Sequence, residues 1–300
     1  MGPLFAAVDT MTDVAGQMTM SPGPIEDQLG VNGTPAHHRR PASRSGVLLM
    51  NADDWGRNQE TTDRTLECIL RGAVSSVSAM VFMDDSARAA AMAQEHGIDA
   101  GLHLNLTAPF CGVSPTLSGH QQRLASYLRH HRVAPVLFHP GLAHSFEYVV
   151  AAQLEEFERL YGNRPNRIDG HHHAHLSANV LLGKLLPAGT IARRSFSFRP
   201  GEKSLGNRLY RRAVDRMLAK RHLVTDLFFS LPPLEPQRLQ RIFSAAREFV
   251  VEVETHPVNP EEHKFLAGGE IFRWIEGKGM GSFRSVFAEA LAGGQRVKSN

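Results

Sequence analysis

Val47-Leu48-Leu49-Met50-Asn51-Ala52-Asp53-Asp54-Trp55-Gly56 passes from a continuous apolar run into an acidic, polar segment. Four apolar residues in succession suit a strand buried on both faces, as the strands of parallel sheets are. Asn51 to Gly56 is read as the polar turn that leaves it. The pattern repeats along the chain. A helix is expected over residues 60–71, with Leu66, Ile69 and Leu70 on one face and Gly72 as terminator. A strand over 74–83 follows, then an alanine-rich helix over 86–96, then a third strand over 100–106 that carries His103. Beyond an irregular stretch with Pro and Gly, the spacing of Phe146, Val149, Val150, Leu154, Phe157 and Leu160 marks an amphipathic helix ended by Gly162. A helix near 236–247 precedes a late strand over 249–254 that exits at Thr255-His256-Pro257. Strand and helix alternating in this way predict an α/β fold with a parallel sheet, open or closed into a barrel.

Composition narrows the function. The chain has 300 residues, 42% of them hydrophobic, enough for a large core. Its 33 Lys and Arg nearly balance 30 Asp and Glu, which argues against nucleic-acid binding. Ten of the basic residues fall between Arg193 and Arg221, read as a solvated helix face or as a rim facing an anionic substrate or lipid headgroup. Two cysteines, Cys68 and Cys111, cannot build a disulfide scaffold or a cysteine-rich zinc site. No apolar run reaches transmembrane length, and residues 1–45, rich in Gly, Pro, Ser, Thr and Met, read as a disordered leader without a secretory signal. Residues 46–300 are expected to form one α/β domain, with a cytoplasmic location as the default.

Sixteen histidines are the anomaly, and four of them lie in Asp169-Gly170-His171-His172-His173-Ala174-His175. In an extended segment His171, His173 and His175 would share one face. Imidazole suits zinc, nickel and other borderline cations, and a nearby carboxylate can orient a ligand ring through its second nitrogen. Asp53-Asp54, His103, the His171 cluster and His256 each stand at or just past the C-terminal end of an expected strand, the edge where parallel α/β folds gather their ligand sites. Adjacent carboxylates on an extended segment point apart, so one aspartate could hold a metal while the other faces a reacting water. Each residue also has a plainer structural reading: a helix cap for the aspartates, a hydrogen-bonded strand residue for His103, a surface cluster for the histidines.

Four motifs in order resemble the YdjC-type carbohydrate deacetylases, which include chitooligosaccharide deacetylases and hopanoid-biosynthesis deacetylases. They are Asn51 to Gly56; Gly101, His103, Leu106 and Thr107; Asp169, Gly170, His171, His173 and His175; and Glu252, His256 and Pro257. The resemblance implies a distorted (β/α) barrel of the glycoside hydrolase/deacetylase type and one divalent metal ion, Mg2+ or Zn2+. It implies Asp54, His103 and His171 as metal ligands, Asp53 as catalytic base and His256 as acid. Asp169, His173, His175 and Arg199 would contact substrate or support the ligands. The expected reaction is hydrolysis of an N-acetyl group from a sugar or glycolipid. The alternatives are hydrolysis of another amide or a phosphoester, and non-catalytic sugar binding. Peripheral membrane association and a homodimer are compatible with the sequence.

Overall fold

A computed structural model of the chain describes residues 46–130, 133–199, 201–275 and 280–296. The expected leader lies outside them. The chain runs through β1 (Val47–Trp55), α1 (Gln59–Leu70), β2 (Ser76–Ala79), α2 (Ser86–Glu95), β3 (Ala100–Leu104), α3 (Pro115–His130), α4 (Ala143–Tyr161) and β4 (Arg167–Gly170). A 3-10 turn (His171–Leu176) and α5 (Ala178–Leu182) lead to β5 (Ile191–Ala192), α6 (Leu205–Ala219), β6 (Leu227–Ser230), α7 (Pro236–Ala245) and β7 (Val250–Thr255). The helices α8 (Pro260–Ala267), α9 (Phe272–Ile275) and α10 (Phe283–Arg296) close the series.

The seven strands pair in parallel in the order β5-β4-β3-β2-β1-β7-β6. The sheet curls until its two edges touch: Ile191 bridges to Leu223, and the Ser197 N–H donates to the Phe228 carbonyl at 2.9 Å. This half-barrel, flanked by helices, is the distorted (β/α) barrel expected from the resemblance.

Period-two alternation divides each strand between two environments. Leu48, Met50 and Ala52 of β1, Val77 and Ala79 of β2, Leu102 and Leu104 of β3, and Val251 and Val253 of β7 point outward, into one large apolar core beneath the helices. The alternate residues point inward. At the base of the barrel these are apolar, with Leu49, Ile191 and Val250 packed against Phe283 and Phe287 of α10. Higher up they are polar and buried: Asn51 and Asp53, Ser76 and Ser78, His103, Arg167 and Asp169, Glu252 and Glu254. The barrel is thus plugged with apolar side chains at the bottom and charged ones at the top.

Two expectations are corrected. Asn51 to Trp55 is not a turn; β1 continues through it, and the segment is buried throughout. The stretch expected to be irregular holds the 16-residue α3, whose buried Leu117, Gln121, Leu124, Ala125 and Leu128 follow helical spacing. The other expected strands and helices are present, with ends shifted by a few residues. Among the described residues no helix is long and apolar enough to cross a membrane.

Gly101 shows how tightly the interior is filled. A Cβ there would lie 2.8 Å from Arg167 Cζ and 2.9 Å from the Arg167 carbonyl oxygen, a backbone atom that cannot step aside. Gly101→Ala is therefore expected to destabilise the protein by about 1–3 kcal/mol in urea denaturation. Gly119→Ala, in α3 with open space around the new methyl, should be stabilising by about 0.5–1 kcal/mol.

Candidate metal centre

At the top of the barrel one guanidinium gathers the acids. Arg193 follows the two-residue strand β5 and is buried. Its Nη1 and Nη2 donate to the two oxygens of Asp53 at 2.7 and 2.8 Å, and its Nε donates to Glu252 at 2.6 Å. Nη2 also lies 2.9 Å from Asp169 Oδ2, and Nη1 donates to Glu254 at 3.2 Å. Asn51 adds a bond to Asp53 Oδ1 at 2.8 Å. Burial opposes ionisation of Asp53, but the attraction of Arg193 and His103 outweighs it and holds the carboxyl below its usual range. Burial and the neighbouring carboxylates have the opposite result at Glu254, pushing its pKa well up.

Asp54 is placed by a break in β1. Its φ of 64° lies in the left-handed region, and the β1–β2 register shifts between Ala52 and Trp55. Aspartate tolerates this backbone better than most residues. The break cancels the alternation expected of an extended pair, so Asp53 and Asp54 both approach His103, at 4.0 and 3.4 Å from its Nε2. Trp55 anchors the segment from below by donating its indole N–H to the Ala89 carbonyl.

His103 is oriented from behind. Its Nδ1 sits 2.7 Å from Asp169 Oδ1, while Ser78 donates to Asp169 Oδ2 at 2.5 Å. That leaves Nε2 aimed at Asp54. His171 brings its Nδ1 to 2.9 Å from Asp54 Oδ1, and Arg57 occupies the other oxygen, Oδ2, at 2.9 Å. Asp54 Oδ1 and His103 Nε2 are both buried, and their close approaches, 2.9 Å from Oδ1 to His171 and 3.4 Å between the two atoms, lack hydrogen-bond geometry. Buried polar atoms rarely stay unsatisfied, and leaving one so costs about 1–3 kcal/mol. Their shared deficit is what a cation would fill.

Among the described residues two groups of three could hold such an ion: Asp54, His103 and His171, or Asp53, His103 and Asp169, with ligand atoms in each group within 4.8 Å of one another. The second is already spent, since Arg193 takes both oxygens of Asp53, and His103, Ser78 and Arg193 share those of Asp169. The first fits. Two imidazoles and a carboxylate suit zinc and similar borderline cations better than magnesium, which prefers oxygen and keeps its waters.

The histidine segment corrects the expectation of one extended face. It forms the 3-10 turn, with His172 and His173 both at φ 52°. His171 alone reaches Asp54. His172 stacks on His171 at 4.0 Å between centroids and lies 3.1 Å from Thr107 Oγ1. His173 turns edge-on to Phe196, with its Nε2 3.9 Å from Glu254, and His175 Nε2 lies 2.9 Å from the Arg193 carbonyl. Burial drives the pKa of His173 well down and those of His172 and His175 to about 4, so all three are neutral near pH 7.

His256 lies just past β7. It follows the last pair of the β1–β7 ladder, Ala52 with Thr255, and Glu262 secures this exit by accepting from the His256 N–H and the Thr255 hydroxyl. Arg199 makes none of the cluster's ion pairs; its backbone N–H donates to Glu202. The basic segment is likewise not simply a solvated face, because Arg193 and Arg211 are buried. Sequence reasoning assigned Arg193 no place in the site. Its one signal was a position after a strand end, and a two-residue strand leaves no readable pattern. Cys68 is buried and Cys111 is exposed.

The YdjC-like protein family matches residues 47–273 of the chain. A chitooligosaccharide deacetylase of Serratia marcescens is 30% identical over 136 residues, 45% of this chain and 52% of that protein. A carbohydrate deacetylase of Mus musculus is 28% identical over 190 residues, 57% of this chain and 56% of that one. The chain spans about half the length of these relatives. The crystal structure of an Enterococcus faecalis protein assigned to cellobiose-phosphate cleavage superposes with a TM-score of 0.58 at 17% identity, covering 81% of this chain and 99% of that one, a likeness of fold.

Replacing Arg193 by Met strands several buried carboxyl groups and is expected to cost about 3–5 kcal/mol by urea denaturation. A second test follows from His103. Burial opposes its charge, but Asp53 and Asp169 raise its pKa from 6.5 to about 10. A raised histidine stabilises fully below its unfolded pKa and loses that contribution as pH rises through the folded one. With chelator present, stability should fall between pH 6.5 and 10, and His103→Gln should flatten that slope.

Proposed function

The chain belongs to the YdjC-like family, and from that membership we propose that it is a metal-dependent hydrolase removing the acetyl group from an N-acetylated sugar. The observation carrying this reading is the meeting of Asp54, His103 and His171 around a shared deficit of hydrogen-bond partners, with Asp53 alongside. The names of the relatives supply the substrate class.

Asp54, His103 and His171 would hold one divalent cation, with zinc preferred by the donor set. Such an ion supplies Lewis acidity, which polarises the acetyl carbonyl and acidifies water toward neutral pH. Asp53 is the base. Arg193 fixes both its oxygens, so it is held in one orientation and stays ionised, and its low basicity is adequate for water that is already acidified. His256, across the β1–β7 ladder from Asp53, donates the proton that lets the amine leave. Asp169 acts through His103 by fixing the ring and its tautomer, and His175 braces the Arg193 backbone.

Asp53→Asn should keep bound metal near one equivalent by elemental analysis, while acetate release from an N-acetylated sugar falls by about 100- to 10,000-fold. Asp54→Asn should lose the metal and the activity together. An Asp53→Asn protein that loses metal but keeps its rate per bound ion would reverse the two assignments. Phosphate release without acetate release would replace the reaction class.

A further inference from the structure

We infer that α6 and the segment packed beside it form a docking face for an anionic lipid bilayer. The helix carries two parallel rows on its outer side. One is apolar: Leu205, Leu209, Ala213 and Met217 stand four residues apart and are all exposed, Leu205 by 68% and Leu209 by 51%. The other is basic: Arg208, Arg212, Arg216 and the capping Lys220 follow the same four-residue step, each three residues beyond its apolar neighbour, with Arg208 and Arg212 half-buried and Arg216 and Lys220 exposed. Four-residue steps on a helix make one continuous ridge, so the two rows lie side by side. The helix's acid, Asp215, is turned away, accepting from the Ser195 N–H and pairing with Arg194 at 2.8 Å. Arg211, Val214 and Leu218 form the buried side that fastens α6 to the barrel.

The apolar row does not stop at the helix. Tyr210, Arg211 and Val214 line a cleft with Pro135 and Val136, and the neighbouring Val133, Leu137 and Phe138 are exposed. The Pro135 carbonyl accepts from the Ala178 N–H at the start of α5, where Leu182 is 55% exposed. Eight of the eleven large exposed hydrophobic residues described thus belong to these three adjoining segments. An apolar strip of this kind, bordered by basic residues on a helix whose one acid is turned inward, matches the acyl–headgroup boundary of a bilayer and the negative charge above it. A second copy of the chain would bring the same basic row against itself, which repels. The face is reached from the metal centre through His173, Phe196, Phe198 and Arg211, each in ring contact with the next.

The test is flotation of the full chain with vesicles of phosphatidylcholine alone and of an equimolar mixture with phosphatidylglycerol. Binding should require the anionic lipid and weaken with salt. Arg216→Glu with Lys220→Glu should reduce partitioning by roughly thirtyfold or more, since each basic residue near such a surface contributes about 1 kcal/mol. Leu205→Ser with Leu209→Ser should also release the protein, and circular dichroism should show both variants folded. Absence of binding, or binding unchanged in both variants, would overturn the proposal. So would a dimer in sedimentation that the leucine variant dissociates, because the face would then belong to a second copy.

Discussion

A buried guanidinium shared among carboxyl groups is the constraint from which the top of this barrel follows. Arg193 bonds Asp53 through both oxygens and reaches Asp169, Glu252 and Glu254 as well. None of these charges has access to bulk water, so each depends on the others for its ionisation. With Asp54 added, five carboxyl groups face three arginines, Arg193, Arg167 and Arg57. The excess of negative charge is relieved partly by protons, which Glu252 and Glu254 hold more readily than a free glutamate. What remains is centred on Asp54, whose Oδ1 faces the rings of His103 and His171 without hydrogen-bond geometry to either.

The arrangement divides labour between neighbouring residues of one strand. Asp53 is committed to Arg193 and Asn51, so it is held in place and its carboxyl stays below the usual range. Asp54, set off by its left-handed backbone, keeps one oxygen unspent. Two chemically identical side chains thus acquire different surroundings through what each is bonded to. The same logic separates the histidines. His103 is tied to Asp169 and His171 faces Asp54, while His173 and His175 are buried, neutral and pointed elsewhere.

Much of this was legible before the structure. The run Val47 to Met50 and the strand–helix alternation announced a parallel sheet, and the polar residues at strand ends announced its active edge. Asp54, His103 and His171 converge because that edge is common to their strands. The backbone at the edge was not legible. Nothing in the sequence of the histidine segment distinguishes an extended strand from a 3-10 turn with two left-handed residues, and the left-handed break at Asp54 likewise left no sign. Arg193 was hidden because β5 is too short to show alternation, and because the arginines after it on α6 made it look like part of a surface. In α3, helical spacing was present but masked by Pro115, Gly119 and the buried, polar Gln121.

The central claim is that Asp54, His103 and His171 close around one ion while Asp53 stays with Arg193. Anomalous diffraction at the zinc absorption edge, from crystals of the full chain grown with zinc, tests it most directly. The account predicts an anomalous peak within coordination distance of Asp54, His103 and His171, and both oxygens of Asp53 still on the guanidinium. A peak at Asp53 and Asp169 with Arg193 displaced, or no peak at the barrel mouth, would contradict it.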